Sequence, residues 1–403
     1  MRGVGKGKSR HWLWRLMLVV AVALVSGCGV QGSGQPTATE TAPNATPTPN
    51  PLASATIAVI EKSLDTYVGR SLSMTVSMAN QAPSPDLPKY TGSNPYSVLA
   101  YEVSALSLGS RALAATDPAR ASSYANQATV VADYLVQHKD DNGDGLTGWG
   151  LPGAWDAFQD GTTNPANTVY AFQTGLVSDS LLDAYMVTHR AVYLSVVEEA
   201  MAAYLSHSTT TVNSQCANCR YFWYSADAND VGRYVKNTNL LIGTALARLA
   251  VLTGGAQYRA QADQVFAAQQ YEIATRANFR YLGFNDPKYS PTSVLDAHLA
   301  AEIWELDDMR LSLSAIGDPI ASSALPLLTV MATAFWQCAG GCQASIATDY
   351  GVRVACQMAP NAAAERALCE QAIQVYAAAG ARALPPYPLL GALRYLTIFG
   401  YGV

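Results

Sequence analysis

Charged side chains are scarce in this 403-residue chain: Asp, Glu, Lys and Arg make up 14 % of it, with a formal net charge of −5. A nucleic-acid binder needs a basic excess to neutralise phosphates, and none is present. The sequence also has no G-x-x-x-x-G-K-[ST] phosphate loop, no H-E-x-x-H and no G-x-S-x-G. These absences argue against nucleotide, zincin and α/β-hydrolase chemistry. Strand-like alternation is nearly missing; residues 220–225 (RYFWYS) are the one short candidate. No apolar run reaches the ~20 residues that a bilayer-spanning helix needs. Apolar side chains are abundant, at 50 % of the chain, ample for a sizeable core.

Arg2, Lys6, Lys8 and Arg10 form a basic start, followed by an apolar run that ends in Val25-Ser26-Gly27-Cys28. This has the shape of a signal peptide. Its last four residues resemble the lipobox of bacterial lipoproteins: branched apolar, small, Gly, Cys. The resemblance implies removal of residues 1–27, acylation of Cys28, and a protein anchored to a membrane on the side facing away from the cytoplasm. Residues 28–51 are rich in Thr, Pro, Gly, Ser and Ala and nearly uncharged. They have too little to bury to offset their ordering entropy, and read as a disordered spacer. Residues 52–403 show no second linker and no composition break, so they are expected to form one domain.

Six further cysteines fall in close pairs: Cys216/Cys219, Cys338/Cys342 and Cys356/Cys369. An even count in an exported chain reads as disulfides, with local pairing preferred among the fifteen possible connectivities. A zinc site or a thioredoxin-like CANC motif are the alternatives, and neither has the His pair or the βαβ context it needs.

Helical periodicity covers nearly every long segment: 52–68, 97–115, 118–137, 165–187, 190–206, 237–252, 256–275, 292–309, 321–336, 362–379 and 389–399. Asn164 is expected as an N-cap with Pro165 in the first turn, and Gly254-Gly255 as a stop. Similar starts recur: Asn94-Pro95, Asn164-Pro165, Lys236-Asn237, Ser290-Pro291 and Pro385-Pro386. The helices that follow read as nearly uncharged, LLIGTALARLAVL being one, and a helix apolar all round is buried all round. The helices between them are one-sided. This alternation resembles the (α/α)6 toroid of six-hairpin glycosidases and toroidal polysaccharide lyases, across 52–403; an open α-solenoid is the alternative. In such a ring the inner helices start at one face. The loops 139–163, 209–236 and 276–291 would then converge over a shared hollow.

Asp140-Asp141-Asn142-Gly143-Asp144-Gly145-Leu146 matches the start of a D-x-N-x-D-G calcium loop. Asp140, Asn142 and Asp144 would offer side-chain oxygens and Leu146 its carbonyl to Ca2+. Position twelve is Leu151 rather than Glu, so this is no EF-hand, and Asp156 or Asp160 would supply the missing carboxylate. The alternative is a metal-free turn whose acids cap the backbone. Trp149, Trp155, Trp223 and Tyr224 offer flat faces that stack on sugar rings or cover a core edge. Asn164, Asn237, Asn239 and His298, at helix starts or within helices, complete the candidate sugar-binding set.

Glycoside hydrolysis needs two carboxyl groups flanking the scissile bond. Asp160 and Asp286 are the expected pair, with Asp156 and Asp230 as substitutes; each is also readable as a solvated loop acid. A lyase would draw on Asn237, Asn239, Tyr234, His298 and Arg233, though no dense basic cleft for a polyuronate is evident. The sequence therefore points to a carbohydrate-active protein of the cell envelope, a glycosidase ahead of a lyase, with a glycan as partner and no nucleic acid. A non-catalytic glycan-binding protein and an envelope-assembly protein are the alternatives.

Overall fold

The computed structural model describes residues 51–82, 90–209, 216, 218–276, 296–336, 349–361, 363–378 and 389–394. Cys28, most of the spacer, Asp286 and the Cys338/Cys342 pair lie outside them. Helix α1 runs Pro51–Asp65, α2 Leu72–Gln81, α3 Pro95–Leu113, α4 Pro118–Gln137, α5 Ala171–Thr188 and α6 Ala191–Leu205. They are followed by α7 Lys236–Thr253, α8 Ala256–Arg276, α9 Asp296–Ala315, α10 Ile320–Trp336, α11 Asp349–Met358 and α12 Ala363–Ala378. Residues 389–394 are helical as well (α13). No described helix is long and apolar enough to cross a membrane.

The chain is an (α/α)6 toroid. Helices α3, α5, α7, α9 and α11 pack side by side in that order, and each has its successor (α4, α6, α8, α10, α12) against its outer flank. Helix α13 lies on α11, where a Cβ on Gly391 would sit 3.2 Å from Arg353 Cα and Cys356 Cβ. The circle closes where α1 packs on α12 and α3, and Ile60, Leu64, Leu106, Leu389 and Leu393 share one core cluster. At Gly175 of α5, a Cβ would fall 2.7 Å from Leu241 Cβ and 2.9 Å from Leu241 C on α7. A bare glycine lets these two inner helices touch backbone to backbone.

Local signals set many of the helix ends. Asn94 accepts a hydrogen bond from the Ser97 amide and Pro95 occupies the first turn of α3. Asp117 caps α4 in the same way, with Pro118 next to it. Gly254 ends α7 in the left-handed conformation at φ 70°. Cys216–Cys219 and Cys356–Cys369 form the expected local disulfides. Within RYFWYS, Tyr221–Phe222 pairs antiparallel with Ser208–Thr209.

Two helices escape the periodicity reading, Leu72–Gln81 and Asp349–Met358. The expected helix start at Asn164-Pro165 is wrong, because α5 begins at Ala171. Residues 164–170 are instead drawn into loop-to-loop pairing. Asn164 and Trp155 exchange both backbone bonds at 2.9 and 3.0 Å, Tyr170 N donates to Trp149 O, and Ala171 N donates to Tyr224 O. These bonds satisfy the backbone groups that a longer helix would have satisfied internally.

Candidate active site

The loops that precede α3, α5 and α7 meet at one face of the ring. Ser97 Oγ donates to Gln173 Oε1 at 2.6 Å, and Gln173 Nε2 donates to Asn94 Oδ1. Buried Asp230 is a hub between two loops: its Oδ2 accepts from Asn164 Nδ2 at 2.7 Å and from Ser225 Oγ at 2.5 Å. Tyr90, Trp155, Phe158, Tyr170, Phe172 and Tyr224 form an aromatic box with centroid separations of 5.3–5.9 Å. Such pairs prefer edge-to-face and offset geometries, and most of these are tilted or T-shaped. Beside the box lies a cavity of about 450 Å³ lined by Tyr90, Gly153, Trp155, Asp156, Gln159 and Thr163, among others.

The acids expected to do chemistry are placed unevenly. Asp156 is at the cavity wall, where its two oxygens accept from the Asp160 and Gly161 amides. Asp160 accepts from the Thr162 hydroxyl and amide and pairs with Arg233; the Thr162 bonds first, and Arg233 after them, hold its carboxyl down at about 2. It therefore stays ionised and has no proton to give at neutral pH. Asp230 is pushed upward by burial, but its only role visible here is to tie the loops. Asp286 lies outside the described residues.

The sugar-binding set divides as well. Trp149 is 1 % exposed and donates its indole N–H to Leu135 O at 2.9 Å, so it belongs to the core and is not available for stacking. Trp155 and Tyr224 are buried in the aromatic box, with Trp155 at the cavity. Trp223 is half-buried, edge-on to His207 at 5.7 Å. Asn164 is buried with Asp230. Asn239 accepts from Phe222 N and donates to Arg220 O, pinning the short strand, so its amide is also spoken for. Asn237 and His298 are half-buried on the inner helices α7 and α9, and Asn237 Oδ1 has no hydrogen bond.

In the calcium-type loop, Asp140 Oδ2 accepts from Gly145 N, Asn142 Oδ1 from Asp144 N, and Asp144 Oδ1 from Leu146 N. These bonds fold the loop into a tight curve of hard oxygen donors. Asp140 Oδ1 is buried with no hydrogen bond, so the residues present fit a hard cation. Asp141 is turned the other way, to Tyr96 and His138.

The inner helices are not uncharged, contrary to expectation. Asp179 and Asp183 of α5, Arg248 of α7, Glu305 and Asp308 of α9, Arg353 of α11 and Arg394 of α13 gather inside the ring. Arg248 closes on Asp179 and Asp183, and Asp308 takes Arg394 and, at 3.8 Å, Arg353. Gln357 Nε2 bridges Asp307 and Asp308 at 2.8 Å each, and Asp307 also pairs with Arg310. Crowding by protein pushes Asp179 up to about 6, and Glu305 and Asp308 upward too; burial is the largest cause, ahead of the arginines. The side chains of Asp179, Arg248 and Arg394 nevertheless keep 16–20 % of their surface open. The signal was legible in the spacing: Phe172, Leu176, Asp179, Asp183 and Asn237, Leu241, Arg248 each mark one face of a helix. The acidic run ELDDMR inside α9 was a further mark.

No family model matches the chain, and no curated protein matches it by sequence. Solved structures do resemble it. A family 76 glycoside hydrolase from a bovine Bacteroides thetaiotaomicron strain superposes with a TM-score of 0.55 at 11 % identity, covering 86 % of this chain and 77 % of that one. A β-1,3-1,4-glucanase from Paenibacillus sp. X4 gives 0.54 at 14 % identity, covering 89 % and 95 %. An unsaturated glucuronyl hydrolase from Streptococcus agalactiae gives 0.51 at 12 %, covering 86 % and 91 %. At such identities the likeness establishes the toroidal fold and nothing finer.

Proposed function

We propose that the protein is a carbohydrate-active enzyme of the cell envelope, a glycoside hydrolase that takes a glycan at the mouth of the ring. The observation that carries this reading is the cavity between the loops that precede α3 and α5, which offers the aromatic edges of Tyr90 and Trp155 beside the carboxylate of Asp156. Concave sites with a few convergent polar groups are the default binding sites of a fold. Three similar structures, one named as a glycoside hydrolase, one as a glucuronyl hydrolase and one as a glucanase, support the substrate class by analogy. The catalytic pair would be drawn from Asp156, Asp160 and Asp286. Ionised Asp160 suits a base or nucleophile, which leaves Asp286 as the acid.

A non-catalytic glycan-binding role is the second reading. It is favoured by the hydrogen bonds that already occupy Asp156, Asp160 and Asp230. Reducing-sugar release by the full chain across a panel of bacterial and plant polysaccharides separates the two. Cleavage lost in Asp156→Asn or Asp286→Asn supports hydrolysis. Glycan binding with no cleavage supports the second reading. A protein that neither binds nor cleaves any glycan overturns both.

The basic start, apolar run and Cys28 support an acyl anchor, which mass spectrometry of the mature N-terminus tests. The loop Asp140–Leu146 would hold a structural Ca2+ through Asp140, Asn142, Asp144 and the Leu146 carbonyl, drawing the loop ahead of the mouth into one fixed curve.

A further inference from the structure

Among the residues that line the mouth cavity, Gln159 has the least ordinary backbone. It is exposed, and it holds the left-handed conformation at φ 54°. We propose that Gln159 is the ligand-reading residue of this cavity, its carboxamide taking two adjacent hydroxyls of a sugar ring. This role rests on the carbohydrate reading above and narrows it to ligands that present a free vicinal hydroxyl pair.

Left-handed backbone crowds a Cβ, so it falls mostly to glycine and, among the rest, to Asn, Asp and His. The two other described non-glycine residues at positive φ are of that kind, Asn167 at 61° and His189 at 53°. His189 has a plain structural duty as the C-cap of α5, its amide donating to Tyr185 O. Asn167 N donates to Leu151 O at 2.6 Å. Gln159 is not of a favoured type, and its side chain makes no hydrogen bond among the described residues. Three tethers nevertheless hold it in place. Phe158, before it, is buried in the aromatic box at 5.3 Å from Tyr224. Asp160, after it, pairs with Arg233, whose guanidinium lies over the Phe158 ring at 4.9 Å. Asp156 closes the turn by accepting from the Asp160 and Gly161 amides at 3.2 and 2.9 Å. Strained backbone persists where its surroundings over-determine it, and such positions gather at ligand clamps. Here the tethers fix the main chain and leave the carboxamide unclaimed at the cavity wall. A carboxamide sets an acceptor oxygen beside N–H donors, and a vicinal diol answers both, since each hydroxyl donates and accepts. Thr91 and Thr163 add hydroxyls to the same lining. No described basic side chain lines the cavity, so the lining favours hydroxyls over an anionic group. Its volume, about 450 Å³, suits a small-molecule site.

The test is calorimetric binding of gluco-, manno- and xylo-oligosaccharides to the full chain, to Gln159→Ala and to Gln159→Gly, with the melting temperature of each sample. Gln159→Gly removes the carboxamide and relieves the backbone at the same position. The expected result is an affinity at least tenfold lower in both variants, with Gln159→Gly melting at or above the temperature of the unsubstituted protein. Of the monodeoxy forms of the bound sugar, two that lack neighbouring hydroxyls should bind the unsubstituted protein more weakly than the parent sugar does. Gln159→Ala should bind those two and the parent alike. If a sugar binds and both variants bind it as well as the unsubstituted protein does, the proposal falls while the carbohydrate reading stands. Affinity lost only together with melting temperature makes Gln159 a structural turn residue and likewise overturns it. So do deoxy forms that all bind the unsubstituted protein as the parent does. Binding of no saccharide at all overturns the carbohydrate reading itself, and this role with it.

Discussion

Arg248 of α7 reaches Asp183 of α5 across the inner ring, Nη2 to Oδ1 at 2.7 Å, while its other terminal nitrogen takes Asp179. One guanidinium thus clamps two carboxyl groups a turn apart on the neighbouring helix. Arg248→Met leaves both without a partner in an enclosed space. Breaking such a pair costs ~3–5 kcal/mol, measurable by urea denaturation. Asp183→Asn should cost less, because Arg248 keeps Asp179.

Stability should depend on pH in two opposite senses. Burial raises Glu102 to about 7 against the weak pull of Arg70 at 4.0 Å, and Asp179 to about 6. Both exceed their unfolded values, so the native state holds those protons more tightly. Their contribution is full below pH ~4 and is lost as pH rises through 6 to 7. Asp160, held at about 2, does the reverse: its contribution is present above ~4 and is lost as pH falls through 2. The melting temperature should therefore rise from pH 8 to pH 5 and fall again in strong acid. Glu102→Gln should flatten the slope between pH 5 and 7, and an unchanged slope in that variant would refute the assignment.

Gly150 pairs with Val169 in the loop layer, and a Cβ there would lie 2.5 Å from Thr168 O and Asn167 C. Neither is the end of a flexible side chain, so the backbone itself must move. Gly150→Ala should lower stability by ~1–3 kcal/mol and weaken glycan binding at the mouth. Thermal melting and calorimetry on the same sample read both effects.

Cys356–Cys369 ties α11 to α12 across a separation of 13 residues, whereas Cys216–Cys219 spans three. Chain-entropy arguments favour the longer loop. Cys356→Ala/Cys369→Ala should cost ~2–4 kcal/mol, and the double alanine variant at Cys216 and Cys219 clearly less. Guanidinium denaturation of the two variants ranks them.

Calcium in excess over chelator should raise the melting temperature, by an amount set by mass action: ~2.7 kcal/mol at a hundredfold of Kd. Asp144→Ala should abolish the shift. A melting curve indifferent to calcium and to chelator would assign the loop to its turn hydrogen bonds alone.

By itself, the chain's residue order determined most of what near neighbours govern, the helices Leu72–Gln81 and Asp349–Met358 excepted. Helical period, the Asn94-Pro95 start, the Gly254 stop and the two short disulfides each involve groups close along the chain, and together they prescribed alternating inner and outer helices. Tertiary structure decided where long-range partners compete with those local preferences. Asn164 looked like a cap until Trp155 and Asp230 claimed its backbone and side chain. Trp149 looked like a sugar platform until the carbonyl of Leu135 drew its indole inward. Ring closure decided most of all, because only a closed circle brings Asp179, Glu305, Arg353 and Arg394 into one charge cluster from four different helices. A charge's partner is set by distance in space, and hydropathy along a helix carries no record of it.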